Sequence, residues 1–234
     1  MEIPMFLAMT AGEVLYTEAL PRHLGWMACH FSPYGRGLSN LPEALPKGSM
    51  LMLNDRMPPD WHDVDLSAEM LVDAAKRLEC GCILLDFQRP DNEKTASVVE
   101  AVLKRSHCPA GVSSCYAEGL NCPVLVPPVP PHLTVQEHLE PWQGREIWLE
   151  CSLMGTKIEV TTEGSRYTTL PRYVPSEKAH FDEELGCRYE ITVEEERVVF
   201  RLGRLLQDMA ELLEKGNEYG VTLGVGLWQE CRNF

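Results

Sequence analysis

The chain has 234 residues, 44% hydrophobic and 24% charged, and its 35 acidic against 21 basic side chains set a formal net charge of −14. That length holds one large domain or two small ones, and ordinary hydrophobic and charged shares exclude wholesale disorder. The acidity, with no Lys/Arg run to interrupt it, excludes the basic face that nucleic acid or an anionic membrane requires, and its main effect is on solubility.

Nine cysteines is an odd count, so a fully oxidised chain would leave one thiol over. The opening MEIPMFLAMTAGE has neither the basic nor the long apolar region of a signal peptide. No segment has the roughly 20 apolar residues that span a bilayer. A cytoplasmic protein with reduced thiols, packed as small hydrophobes, is expected. Paired C-x-x-C knuckles and closely spaced His pairs are absent, so no structural zinc is expected. Gly224-Val225-Gly226 falls inside a predicted strand and no G-x-S-x-G elbow occurs, so neither a nucleotide cofactor nor that serine chemistry is expected.

In chain order, short apolar runs alternate with turn signals. Predicted strands are Met5–Met9, Gly25–Phe31, Ser49–Leu53, Cys82–Phe87, Gly111–Cys115, Pro123–Val126, Glu146–Cys151 and Val221–Trp228. Several are apolar throughout, the pattern of parallel strands buried on both faces. Ser67 reads as the N-cap of a helix over Ala68–Leu78, whose apolar residues recur at helical spacing. Lys94–Arg105 is a second helix with a basic end. Thr134–Trp142 opens on the capping-box spacing Thr134 to Glu137. Arg204–Tyr219 is the strongest helical pattern, and Gly220 stops it. The crossovers Glu13–Leu24 and Tyr116–Cys122 are too short for full helices.

Residues 156–202 read differently. Thr156–Thr162 and Arg166–Leu170 flank a Glu163-Gly164 turn, and Arg188–Val193 and Val198–Leu202 flank the acidic tip Glu194-Glu195-Glu196. Both are hairpin patterns. Strand–helix–strand repetition elsewhere argues for a parallel sheet with right-handed crossovers. The expected fold is α/β, a (β/α)8 TIM-type barrel with trimmed helices, one domain over 1–234. An antiparallel hairpin insertion at 156–202 precedes the last helix; a small separate lobe there is the alternative.

Barrels carry function at the C-terminal ends of their strands. Those ends hold Glu13, His30, Asp55, Asp86, Gln88, Glu118, His132, Glu150 and Glu230, with Tyr34, Tyr116, Trp148 and Trp228 as aromatics nearby. Carboxylates beside aromatic platforms suit sugars, whose ring faces stack while their hydroxyls hydrogen-bond. Asp55 and Asp86 fall on neighbouring strands, and such a pair acts as an acid/base couple or holds a divalent metal with His30 or Glu118. Ordinary rim charges account for the same residues.

The segment Gly81-Cys82-Ile83-Leu84-Leu85-Asp86-Phe87-Gln88-Arg89-Pro90 resembles the fourth-strand signature D-G-x-D-x-D-x-E of the family 18 glycoside hydrolases, the chitinase-like barrels. Asp86, Phe87 and Pro90 fall in register. Phe200, the helix Arg204–Tyr219 and the run Gly220–Trp228 resemble the family's last helix and eighth strand, which ends on a tryptophan under the sugar site. An antiparallel insertion before that helix is a family habit. The chain departs from the pattern where the chemistry sits. The family's catalytic glutamate corresponds to Gln88, and its two earlier aspartates correspond to Leu84 and Gly81. In the family that glutamate protonates the leaving oxygen while the substrate's acetamide attacks, and an amide has no such proton to give.

The resemblance therefore implies a degenerate barrel that binds an oligosaccharide or small polar ligand without chitinase activity. Its candidate site residues are Asp86 and Asp55 for any catalysis and Gln88, His30, Tyr116, Glu150 and Trp228 for ligand binding. Asp86, Gln88, Asp55, Tyr116 and Trp228 are expected around one cavity at the barrel mouth. Two alternatives stay open: a glycosidase or metal-assisted hydrolase with re-sited carboxylates, Asp55 and Asp86 leading, and a non-catalytic interaction scaffold.

Overall fold

The structure, a computed structural model, describes residues 2–31, 37–56, 59, 61–89, 93–194 and 197–231. Tyr34, Pro90, Glu195 and Glu196 lie outside the described residues. The strands run β1 (Met5–Met9), β2 (Leu24–Phe31), β3 (Leu38–Ser39), β4 (Met50–Asn54), β5 (Cys82–Asp86), β6 (Ala110–Ser113), β7 (Val124–Val126) and β8 (Ile147–Cys151). They continue through β9 (Gly155–Thr161), β10 (Gly164–Leu170), β11 (His180–Asp182), β12 (Cys187–Glu194), β13 (Arg197–Gly203) and β14 (Val221–Leu227). Helices are α1 (Ala11–Tyr16), α2 (Val64–Arg77), α3 (Glu93–Arg105), α4 (Val135–Leu139), α5 (Leu206–Asn217) and α6 (Trp228–Cys231).

Eight parallel strands close in the order β1-β14-β8-β7-β6-β5-β4-β2, with β2 returning to β1. This is the expected (β/α)8 TIM-type barrel. The segment ending in Asp86 is its fourth strand in chain order. The short β3 pairs antiparallel with the end of β2. A second sheet, ordered β10-β9-β13-β12-β11 and antiparallel throughout, is inserted between β8 and α5. It is the antiparallel insertion expected before the last long helix.

The strands read as unbroken apolar runs because both faces are buried. Phe6, Ala8, Met50, Met52, Cys82, Leu84, Leu125, Trp148, Leu223 and Val225 fill the barrel interior. On the outer face Ile83 and Leu85 of β5 pack with Leu71 and Ala75 of α2 and Val98 and Val102 of α3. Alternation along β5 therefore aims Cys82, Leu84 and Asp86 at the barrel axis. Trp148, expected among the mouth aromatics, lies instead within the barrel and is 1% exposed. Its ring occupies the space where Gly111 has no side chain: a Cβ there would come within 2.2 Å of Trp148 Cε3.

Several boundaries differ from expectation for local reasons. Helix α2 starts earlier because Asp63, not Ser67, is its cap: the Asp63 side chain accepts from Leu66 N at 3.0 Å, while Ser67 Oγ donates back to Asp63 O at 2.6 Å. The Thr134–Glu137 capping box forms as expected, and a second one, Thr10–Glu13, builds the short helix α1 inside a crossover expected to lack a full helix. Arg204 is not helical. Its buried guanidinium donates to Gly186 O, Leu185 O and Val129 O, tying the inserted sheet to the segment after β7. Strand β14 ends at Leu227, its last partner on β1 being Ala8, and Trp228 opens α6. The nine cysteines are all free thiols. Among the described residues no helix is long and apolar enough to cross a membrane.

Candidate functional site

A cavity of about 290 Å³ opens at the C-terminal mouth of the barrel. Its floor is apolar, built from Met27, Met52, Leu84, Leu125 and Val225. Its polar wall is Arg56, Asp86, Glu150, Ser152 and Glu230. Asp86 ends β5 and Glu150 sits near the end of β8, three strands round the barrel. That separation in an eight-stranded ring puts the two carboxyls on nearly opposite sides of the mouth.

Asp86 is held in place. Gln88 Nε2 donates to its Oδ1 at 2.5 Å and Ser113 Oγ donates to the same oxygen at 3.4 Å. Burial raises its carboxyl above the usual range; the bonds from Gln88 and Ser113 act against this, the Asp55 charge adds to it, and Arg56 opposes it. Gln88 itself is exposed on the rim, and its amide faces Asp86.

Asp55 has another task. It is 5% exposed, and its carboxylate accepts from Gln88 N at 3.1 and 3.2 Å and from Arg89 N at 2.8 Å. It does not line the cavity; it clamps the backbone just past β5 and so aims Gln88. Tyr116 helps from the other side: its hydroxyl donates to Arg89 O and its ring packs edge-on against Phe87 at 6.2 Å. Removing a buried acceptor strands its donors, at about 2–3 kcal/mol for a charged partner. Asp55→Ala is thus expected to lower stability by about that amount in urea denaturation, and Asp55→Asn, which keeps one acceptor, by less.

Glu150 is the chemically distinct group. Its carboxyl is pushed up to about 7, first by burial and second by the charge of Asp86. It accepts no hydrogen bond from the described residues. Near neutral pH it carries a proton much of the time and can donate to a ligand oxygen, while Asp86 accepts. The sign of the pH effect follows. An unfolded glutamate titrates near 4.5, whereas folded Glu150 keeps its proton to about 7. Between those values the native state binds more protons, so stability falls as pH rises through that window and levels off above it. The loss is at most about 3 kcal/mol. Glu150→Gln is expected to flatten this slope, read as denaturation midpoints across the window, and to be more stable than wild type at pH about 8.

The other predicted residues scatter. His30 lies where β2 meets β3, outside the cavity lining. Trp228 is half-buried in α6, which packs on β1 and β14, and does not line the cavity. Of the five residues expected around one cavity, only Asp86 lines it. Glu118 is exposed in the segment after β6, and Glu13 caps α1. Glu230 does line the mouth, with Ser152 Oγ donating to it at 3.2 Å and Leu153 N at 2.7 Å. His132 belongs to an adjoining cavity. Among the described residues no three His, Cys, Asp or Glu side chains form a metal-binding group. Arg56 and Ser152 were not anticipated; the signal for both is a polar residue just past a strand end.

No family model matches the chain, and no curated protein matches it in sequence. Solved structures match it in shape. The chitinase-like agglutinin of Robinia pseudoacacia aligns at a TM-score of 0.58 and 10% identity, over 95% of this chain and 94% of its own. This is the fold of the chitinase-like barrels. A class V chitinase from Nicotiana tobaccum, a glutamate-to-glutamine mutant in complex with NAG4, aligns at 0.58 and 9% identity over 97% and 94% of the two chains. The spore cortex-lytic enzyme SleL of Bacillus cereus aligns at 0.56 and 12% identity over 97% of this chain and 70% of its own. At such identities the likeness is one of fold. The Asp86 segment, which resembles the family signature, occupies the fourth strand of the barrel, and the antiparallel sheet separates the seventh and eighth.

Proposed function

We propose that the barrel mouth binds a short oligosaccharide, or a comparably polyhydroxylated ligand, without chitinase-type hydrolysis. The observation that carries this reading is the Asp86 and Glu150 pair set over an apolar floor, with an amide at Gln88 where the resemblance puts the catalytic acid. The floor offers contact to a ring face, and the carboxyls and Ser152 take hydroxyls. Two structures of similar fold support it: one is an agglutinin by name, and another holds NAG4 while carrying glutamine in place of a glutamate. A cytoplasmic setting fits the nine free thiols. Titration calorimetry with N-acetylglucosamine oligomers tests the proposal. Asp86→Asn is expected to weaken binding roughly tenfold, the loss of a charged hydrogen bond. A wild type that binds none of the oligomers sinks it.

The raised Glu150 carboxyl favours one second reading, a hydrolase whose proton donor has moved to β8 with Asp86 as its partner. Asp55, bound to backbone, has no part in that version. It predicts turnover that Glu150→Gln abolishes and Gln88→Ala leaves standing.

A further inference from the structure

The inserted sheet has two unlike faces. Residues paired directly across neighbouring strands share a face. One row runs Ile191, Phe200, Ile158 and Tyr167 through β12, β13, β9 and β10, and the next starts Val193, Val198 and Val160. On those four strands this face has no charged side chain among the described residues. The opposite face is charged and pairs with itself: Lys157 meets Glu159 at 2.7 Å, and Arg201 meets Glu194 at 2.5 Å. An apolar sheet face is ordinarily covered by a second layer. Here only the end nearest the barrel is covered, where Cys187 and Leu202 are buried and Cys187 Sγ donates to Pro131 O at 3.2 Å. Further out the face is bare. Ile191 is 55% and Val193 75% exposed, with Tyr167, Val160 and Val198 exposed beside them. At roughly 150–200 Å² for a fully exposed side chain of this size, these five present about 400–500 Å² of contiguous surface, enough to mark an interaction site.

We infer that this face docks a second copy of the chain, sheet against sheet. Charge, shape and area choose that occupant. The net charge of −14 favours basic partners in general, yet this face offers a cation no counter-charge and only apolar side chains to be desolvated against. The partner surface must be neutral and apolar, and the same face of a second molecule is both. Sheets pack face to face about 10 Å apart through interdigitating side chains, and β-branched and aromatic residues supply them here. A pair removes about 800–1,000 Å² from water, close to the roughly 1,000 Å² that a specific interface needs, so the dimer is reversible. Like net charge on the two copies opposes pairing, and salt therefore strengthens it. The inference is independent of what the barrel mouth binds.

The test is sedimentation velocity of the full chain from about 1 to about 200 µM. Wild type is expected to dimerise with a Kd on the order of 10–100 µM, tighter in high salt than in low. Val193→Lys and Ile191→Lys are each expected to weaken pairing at least about tenfold. Both lower the net negative charge, so a loss cannot come from general repulsion. Gln136→Lys makes the same charge change at an exposed site on α4 and is expected to pair as wild type does. Val193 projects into solvent, so its replacement leaves the core intact, and circular dichroism checks each fold. A wild type that stays monomeric overturns the inference; if it then binds phosphatidylcholine vesicles, the face belongs to a lipid surface. Dimers that both lysine variants form as readily as wild type overturn it too, because the contact then lies elsewhere.

Discussion

Trp148→Ala is expected to lower the unfolding free energy by about 3–5 kcal/mol, the range for emptying a large aromatic site in a packed core. The ring sits inside the barrel with 1% exposure, and Gly111 leaves room for it. The converse change, Gly111→Ala, pushes a methyl into that ring and is expected to cost about 1–3 kcal/mol through overpacking. The two effects are coupled. In the double variant the new methyl enters space the indole has vacated, so its cost should fall short of the sum of the single changes. Urea denaturation of all four proteins reads this directly. Strict additivity would mean that the two residues do not share that space.

Wild type is expected to release no chromogenic leaving group from N-acetylglucosamine oligomers, and Gln88→Glu is expected to restore none. A positioned general acid contributes about 10²–10⁴-fold, and the site has an amide where the resemblance puts that acid. Restoring the carboxyl alone does not rebuild the machinery. Position 88 is on the exposed rim, its backbone is held by Asp55, and its side chain lies against Asp86. A glutamate there would lose the amide donor and meet a like charge. By the same resemblance, Leu84 and Gly81 stand where the family keeps the two aspartates that tune the acid. Wild-type turnover abolished by Glu150→Gln would move the acid to β8. Turnover that survives both Asp86→Ala and Glu150→Gln would place the chemistry outside this mouth.

Strand positions were legible in the sequence because parallel strands buried on both faces are apolar throughout, as MLML in β4 and CILL in β5 are. The Thr134–Glu137 box was legible because a cap needs only residues three apart. The same spacing from Thr10 to Glu13 marks the start of α1. Asp86 was expected at the barrel mouth because it ends an apolar strand, and it lines the cavity there. Asp55 was expected beside it and is instead spent on the backbone of Gln88 and Arg89, since loop geometry past a strand end has no periodicity to read. Trp228 was expected on the last strand, but the pairing of β14 with β1 stops one residue earlier.

By itself the sequence determined what is local: where the eight barrel strands lie, that the thiols are expected to be reduced, and that position 88 carries an amide. Only the tertiary structure decided that Glu150 faces Asp86 and that Gly111 exists for Trp148. Each of these depends on which strands end up across the barrel from one another, and closure brings together residues far apart in the chain. The proton affinity of Glu150 is of the same kind, because burial and a neighbouring charge set it, and neither is written in the residues beside it.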